Sequence, residues 1–285
     1  MGEIMKNELE KLQEAEKMLK EKLGGFAPIV GITLGSGLGY MADLLTEASF
    51  CLYSEILHCP MSGATGHAGR LWWGKLANVP VIMMQGRVHI YEGYTVHEVV
   101  FLTRLMIMLG CRKLILTHAV GAVTKNLEPG DIVGIRSHIA LNCPDPTAGQ
   151  DAPKFGTEFT PMGDAYSPRF LALAKKCARE QGVSFHWGVS HFQHGRMYET
   201  QAEIEYMRRA GADVATMSTI PEVAAGFQMG AEILDLALVT NMGAGLGSAI
   251  PLSHGEVTAM AEKMKKPFGR LIGVIISKIA TGEKG

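Results

Sequence analysis

Short apolar runs rich in β-branched residues recur along this chain, and most of them break into glycine or a knot of polar residues. Positions 28–34, 71–73, 79–84, 112–118, 132–137, 183–192 and 233–240 have the length and branching of buried strands. Between them, apolar residues spaced three or four apart predict helices over 95–109, 167–181, 201–210 and 222–229. Gly110 and Gly211 stop the first and third of these. A helix-like segment, 41–48, follows the first strand, and His254 to Val257 opens the last helix. At the start, Met5, Leu9, Leu12, Met18, Leu19 and Leu23 stand between Glu and Lys, so 1–25 reads as an amphipathic helix packed on the domain. Residues 119–122 read as a small-residue turn. Residues 141–165, rich in Pro, Gly, Asp and Thr, read as a long loop of functional or interface type.

Strand–helix alternation without repeat or linker predicts one α/β domain over 1–285: a mostly parallel or mixed sheet covered by helices. Ligands in such folds bind beyond the carboxyl ends of the strands. Composition sharpens this. Of the 285 residues, 47% are hydrophobic and 19% charged, which suits a buried core. A net charge of −1 gives no electrostatic footprint for nucleic acid or an anionic membrane, so any bound phosphate must be held by local groups. No signal peptide or membrane span is expected. Five scattered cysteines without CxxC spacing read as reduced thiols in a cytoplasmic protein. His186, His191 and His194 lie close together but lack a cysteine or acidic companion in a metal pattern, so no metal is expected.

The polar residues at the strand ends carry the candidate chemistry. Gln85 to Tyr94 packs Arg87, His89, Tyr91, Glu92 and Tyr94 behind an apolar strand. Arg87 can fork two hydrogen bonds onto phosphate oxygens, His89 can add another, and Glu92 can fix the His89 tautomer. Gly35-Ser-Gly-Leu-Gly39 sets Ser36 between glycines after a strand, a common form of anion cradle that fits neither the dinucleotide fingerprint nor a Walker loop. Glycines also flank His67, in Thr65-Gly-His-Ala-Gly-Arg70. Glu199 stands just before a helix, Ser218 is a candidate cap for the helix at Pro221, and Asn241 ends a strand.

Four stretches in this order resemble the trimeric, mammalian-like purine nucleoside phosphorylases: Gly35 to Gly39, Gly66 to Leu71, Gln85 to Tyr94, and Met217-Ser-Thr-Ile-Pro-Glu-Val223. The resemblance spans roughly residues 28 to 280. It implies a partly barrel-like sheet, and phosphorolysis of purine nucleosides to free base and ribose 1-phosphate. Inorganic phosphate is then the co-substrate, with no cofactor. By similarity Ser36, His67, Arg87, His89, Ser218 and the backbone of Ala119 form the phosphate end. Tyr91, Tyr198, Met217 and His254 contact ribose. Val120, Gly121, Glu199 and Asn241 meet the base, with 6-oxopurines favoured. His89, Asn241, Glu199 and His254 are the catalytic set. Phe155 resembles the family phenylalanine that reaches into a neighbouring subunit, which implies a homotrimer.

The chain also departs from the family. The usual Thr-Asn-Ala-Ala-Gly-Gly is Thr117-His-Ala-Val-Gly-Ala122 here, so Val120 and Ala122 add bulk and His118 brings a titratable ring. The usual Gly-Pro-x-Phe-Glu-Thr is Gly195-Arg-Met-Tyr-Glu-Thr200. These changes imply a nearly intact phosphate end and a remodelled base end. They leave a phosphorylase of altered preference or a slow paralogue that binds nucleoside or phosphate; a hydrolase using water is a third reading, which leaves the anion site unexplained.

Overall fold

The computed structural model describes residues 6–63, 67–149, 151–247 and 254–283, with the side chain of His254 outside that description. Strands β1 (Val30–Leu34), β2 (Thr46–Leu52), β3 (Arg70–Leu76), β4 (Val79–Gln85) and β5 (Lys113–Ala122) build the first part of the sheet. Strands β6 (Ile132–Ile139), β7 (Phe185–Phe192), β8 (Val214–Thr216) and β9 (Glu232–Met242) complete it. The helices are α1 (Glu8–Leu23), α2 (Val96–Val99), α3 (Phe101–Met108), α4 (Pro168–Glu180), α5 (Gln201–Arg209), α6 (Ile220–Gln228) and α7 (His254–Thr281).

The sheet runs β2-β3-β4-β1-β5-β8-β7-β6-β9, and β9 pairs back onto β5. Strands β5 to β9 therefore close a ring, and β1 to β4 extend from it as an open mixed sheet. Within the ring β5 lies parallel to β9, and β9 antiparallel to β6. Only Gly121 and Ala122 of β5 pair with β8. This closure is the partly barrel-like sheet. The strands β1, β4, β5 and β9 are mutually parallel through their shared neighbours, so their carboxyl ends open on one edge.

Burial explains most of the elements. Strand β1 is buried at every position, as expected of a strand covered on both faces. Leu12, Ala15 and Leu19 of α1 are fully buried and join the same core as the strands. Arg104 of α3, itself fully buried, ties this helix down: it pairs with Glu8, donates to the Pro146 carbonyl at 2.6 Å, and lies 4.1 Å over the Phe155 ring.

Three expectations need correction. Segment 41–48 is not a helix but a 3-10 turn, Gly39–Leu44, followed by the edge strand β2. Of β2 only Cys51 is buried; its backbone pairs with β3 while its side chains face water, so its apolar pattern carries no strand signal. The 95–109 helix is broken at Val100 (φ −91°, ψ 1°) into α2 and α3, with Thr95 and Glu98 capping α2 reciprocally. Residues 119–122 are not a turn: β5 continues through them, and its small side chains accommodate an irregular register against β9 between Val120 and Gly121.

Candidate active site

The carboxyl ends of β1, β4, β5, β8 and β9 surround a cavity of about 610 Å³. That lies within the ~300–1,000 Å³ typical of small-molecule sites. One end of it is built for an anion. Arg87 follows β4, is 3% exposed, and donates from Nη1 to the Thr117 carbonyl at 3.0 Å and to Ser218 Oγ at 3.3 Å. Its Nη2 lies 2.9 Å from Glu222 Oε2, on a bent line, with both side chains 3% exposed. Burying a carboxylate and a guanidinium is costly unless they face each other, so Glu222 fixes where the guanidinium sits. Arg87 Nε has no protein partner among the described residues.

His89 stands beside it. Glu92 Oε1 accepts from the His89 backbone N–H at 2.9 Å and lies 3.1 Å from its ring Nδ1. An acceptor-only carboxylate holds the ring hydrogen on Nδ1 and leaves Nε2 for a ligand. Burial pushes the His89 pKa down, and the Glu92 hydrogen bond opposes it. For Glu92, burial would raise the pKa. The His89 ring and the backbone N–H groups of Gly63 and His89 outweigh it and hold the carboxyl at about 2. Tyr91 stacks on His89 with centroids 4.5 Å apart and planes 13° apart. His67 is clamped by the Arg87 backbone, its Nδ1 2.7 Å from that carbonyl, and its Nε2 is 3.5 Å from Ser36 Oγ. Burial first, then the neighbouring His89, lowers the His67 pKa to about 4, so the ring is neutral at neutral pH.

The Ser36 turn depends on close backbone approach. A Cβ on Gly35 would lie 2.6 Å from the Thr117 carbonyl oxygen, so only glycine lets this turn press against β5.

The opposite end carries neutral and acidic hydrogen-bonding groups. Asn241 Oδ1 accepts from the Thr240 hydroxyl at 2.9 Å, and its Nδ2 donates to the Met242 carbonyl at 3.3 Å. Each amide atom keeps one further hydrogen-bonding position. Burial raises the Glu199 pKa. The 195–199 segment approaches Met217 and Tyr91 through Gly195 (φ 72°), where a Cβ would meet Met217 Sδ at 2.7 Å and Tyr91 Cδ1 at 3.0 Å. Arg196 lies 5.6 Å over the Tyr91 ring.

The cavity thus brings together Ser36, Arg87, His89, Tyr91, Ala119, Val120, Gly121, Tyr198, Glu199, Met217, Ser218 and Asn241. His67 sits just behind Ser36. The side chain of His254 lies outside the described residues; Val257, later on α7, lines the cavity. Three expectations fail. Phe155 does not extend from the chain: it is 6% exposed and packed in its own core beneath Arg104, while the exposed aromatic of that segment is Phe159, at 86%. Ser218 does not cap α6. Thr219 (φ 49°, ψ −42°) holds that position without a side-chain cap, and the Ser218 hydroxyl instead meets Arg87. Ala122 is fully buried and adds no bulk to the cavity wall. The histidines of the 186–194 stretch do not converge: His186 faces Asp131, and His191 lies against the Phe192 carbonyl.

Sequence reasoning missed Thr216, Thr240, Arg196 and Val257 as lining residues, and singled out His118 only as a departure. Thr216 had a signal: it lies two residues before Ser218, at the end of β8, where the chain turns and the Ser218 N–H reaches the Thr216 hydroxyl.

A family model described as the phosphorylase superfamily matches residues 29–277. Purine nucleoside phosphorylase 1 of Geobacillus stearothermophilus is 40% identical over 269 residues, covering 94% of this chain and 97% of its own. The purine nucleoside phosphorylase of Bos taurus is 34% identical, covering 88% and 89%. Among solved structures, the Schistosoma mansoni purine nucleoside phosphorylase in complex with inosine superposes with a TM-score of 0.89 at 32% identity. That match covers 95% of this chain and 96% of the other.

Proposed function

Because the chain belongs to the phosphorylase superfamily, along nearly its whole length and beside purine nucleoside phosphorylases, we propose that it cleaves the N-glycosidic bond of purine nucleosides with inorganic phosphate. The observation that carries this is the polarity of one cavity. A buried guanidinium with hydroxyl and imidazole partners stands at one end, and a carboxylate with an amide at the other. Aromatic and thioether groups lie between them.

In this reading Arg87, Ser36, Ser218, His89 and the Ala119 N–H hold phosphate against the sugar. Tyr91, Tyr198, Met217 and His254 hold the ribose. A phosphate oxygen forms the bond to C1′ as the bond from C1′ to the purine nitrogen breaks, and the purine leaves with that electron pair. Asn241 meets its O6 and N7 side, Glu199 accepts from ring N–H, and Val120 and Gly121 pack on it. That set favours 6-oxopurines. Catalysis comes from positioning and oriented charge, with phosphate as co-substrate and no cofactor required. Inosine incubated with the protein should release hypoxanthine only when phosphate is present; release at the same rate without phosphate contradicts the reading.

We extend the proposal to a homotrimer in the cytoplasm. Leu141 (85% exposed) and Phe159 (86%) offer apolar surface on the segment between β6 and α4, and all five cysteines are free thiols, as suits a reducing compartment. No helix among the described residues is long and apolar enough to cross a membrane. Light scattering should return three chains' mass, and a single-chain mass contradicts the assembly.

A further inference from the structure

Behind the anion end lies a buried pair that phosphorolysis does not itself require. His118 is 1% exposed and Asp235 is fully buried. His118 Nε2 lies 3.2 Å from Asp235 Oδ1, on a bent line, and its Nδ1 lies 2.8 Å from Thr216 Oγ1. Neither carboxylate oxygen of Asp235 has another protein partner among the described residues. A carboxylate only accepts, so it keeps the ring hydrogen on Nε2, and Nδ1 then accepts the Thr216 hydroxyl. The Thr216 oxygen accepts the Ser218 backbone N–H at 3.3 Å and lies 3.4 Å from Ser218 Oγ. Ser218 Oγ accepts from Arg87 at 3.3 Å, which leaves its own hydrogen for a ligand.

We propose that Asp235 and His118 are positioning residues for phosphate, acting through Thr216 to hold Ser218 at the anion end of the cavity. The inference rests on the phosphorolytic reading. Its physical basis is the turn after β8. Residue 218 is followed by Thr219 at positive φ, a conformation disfavoured for a β-branched residue. Something must hold that turn, and the hydrogen bond from Ser218 N–H to Thr216 Oγ1 is anchored in turn by His118. A buried polar pair that did nothing could be exchanged for apolar residues at little cost to stability.

That exchange is the test. His118→Leu with Asp235→Ala removes the pair at nearly constant volume and leaves no buried charge behind. Thr216→Val removes only the hydroxyl, and serves if the double variant does not fold. With saturating inosine, each should raise the KM for inorganic phosphate about tenfold, the cost of a lost positioning hydrogen bond, and leave the inosine KM within about twofold. The triple variant should match Thr216→Val alone, because all three residues act through one chain. An unchanged phosphate KM in the double variant, equal rises in both KM values, or effects that multiply in the triple variant would each overturn the proposal. If the wild-type protein shows no phosphate-dependent cleavage, the functional reading falls separately. Calorimetric titration of inorganic phosphate into wild type and double variant then decides: weaker binding by the variant supports the positioning role, and equal binding overturns it.

Discussion

Replacing Arg87 with alanine should raise the phosphate KM by a factor of about 100 or more, and replacing it with lysine by about ten or more. The guanidinium is buried, so its hydrogen bonds to an anion are made without competing water. Charge-assisted bonds of this kind are worth about 1.5–3 kcal/mol each. Lysine keeps the charge but loses the fork. The alanine variant has a second expected cost. Glu222, 2% exposed, loses the cation that faces it, and breaking such a buried pair costs about 3–5 kcal/mol of stability. The lysine variant therefore separates the two effects: it keeps a counter-charge near Glu222 and should melt close to wild type while still binding phosphate poorly. Phosphate titrations at fixed inosine, beside thermal melts, measure both. Normal phosphate dependence in the alanine variant would remove Arg87 from the site.

Glu199→Ala should lower kcat/KM for inosine by about two to three orders of magnitude and leave the phosphate KM within about twofold. Glu199 lines the cavity, and under the proposed function it stands at the base end, so removing it takes away an acceptor for the purine without touching Arg87, Ser36 or Ser218. Its pKa supplies an independent signature. Burial first, with a smaller contribution from Glu203, raises it above the ordinary carboxylate value. The accepting, ionised form is therefore lost at a higher pH than for an exposed glutamate, and inosine cleavage should fall on the acid side above the usual carboxylate range. Glu199→Gln, which cannot ionise, should lose that acid limb. Equal losses toward phosphate and nucleoside in the alanine variant would contradict the assignment to the base.

The fold was legible where burial dictated sequence. Strand β1 is buried throughout and reads as an apolar run, and α4 and α5 show their buried faces at helical spacing. Strand β2 was illegible because its pairing is carried by backbone while its side chains face water. The break at Val100 lies in a continuous apolar stretch, where nothing local distinguishes one helix from two. At the site, residues in compact polar stretches, such as Arg87, His89 and Glu92, announced themselves, and the His89–Glu92 contact follows from their spacing. Phe155 misled because an aromatic beside glycine reads the same whether it packs inward or reaches out. Its partner, Arg104, is fifty-one positions away and is named only by the packing. The His118–Asp235 contact was hidden for the same reason: two strands bring together residues far apart in the chain.

In the proposed reaction phosphate, not water, takes the sugar. Phosphorus-31 and proton NMR of one sample of inosine, phosphate and the protein test it directly. A ribose 1-phosphate resonance should grow in step with hypoxanthine while inorganic phosphate falls equally. Hypoxanthine appearing with free ribose and an undiminished phosphate signal would contradict it.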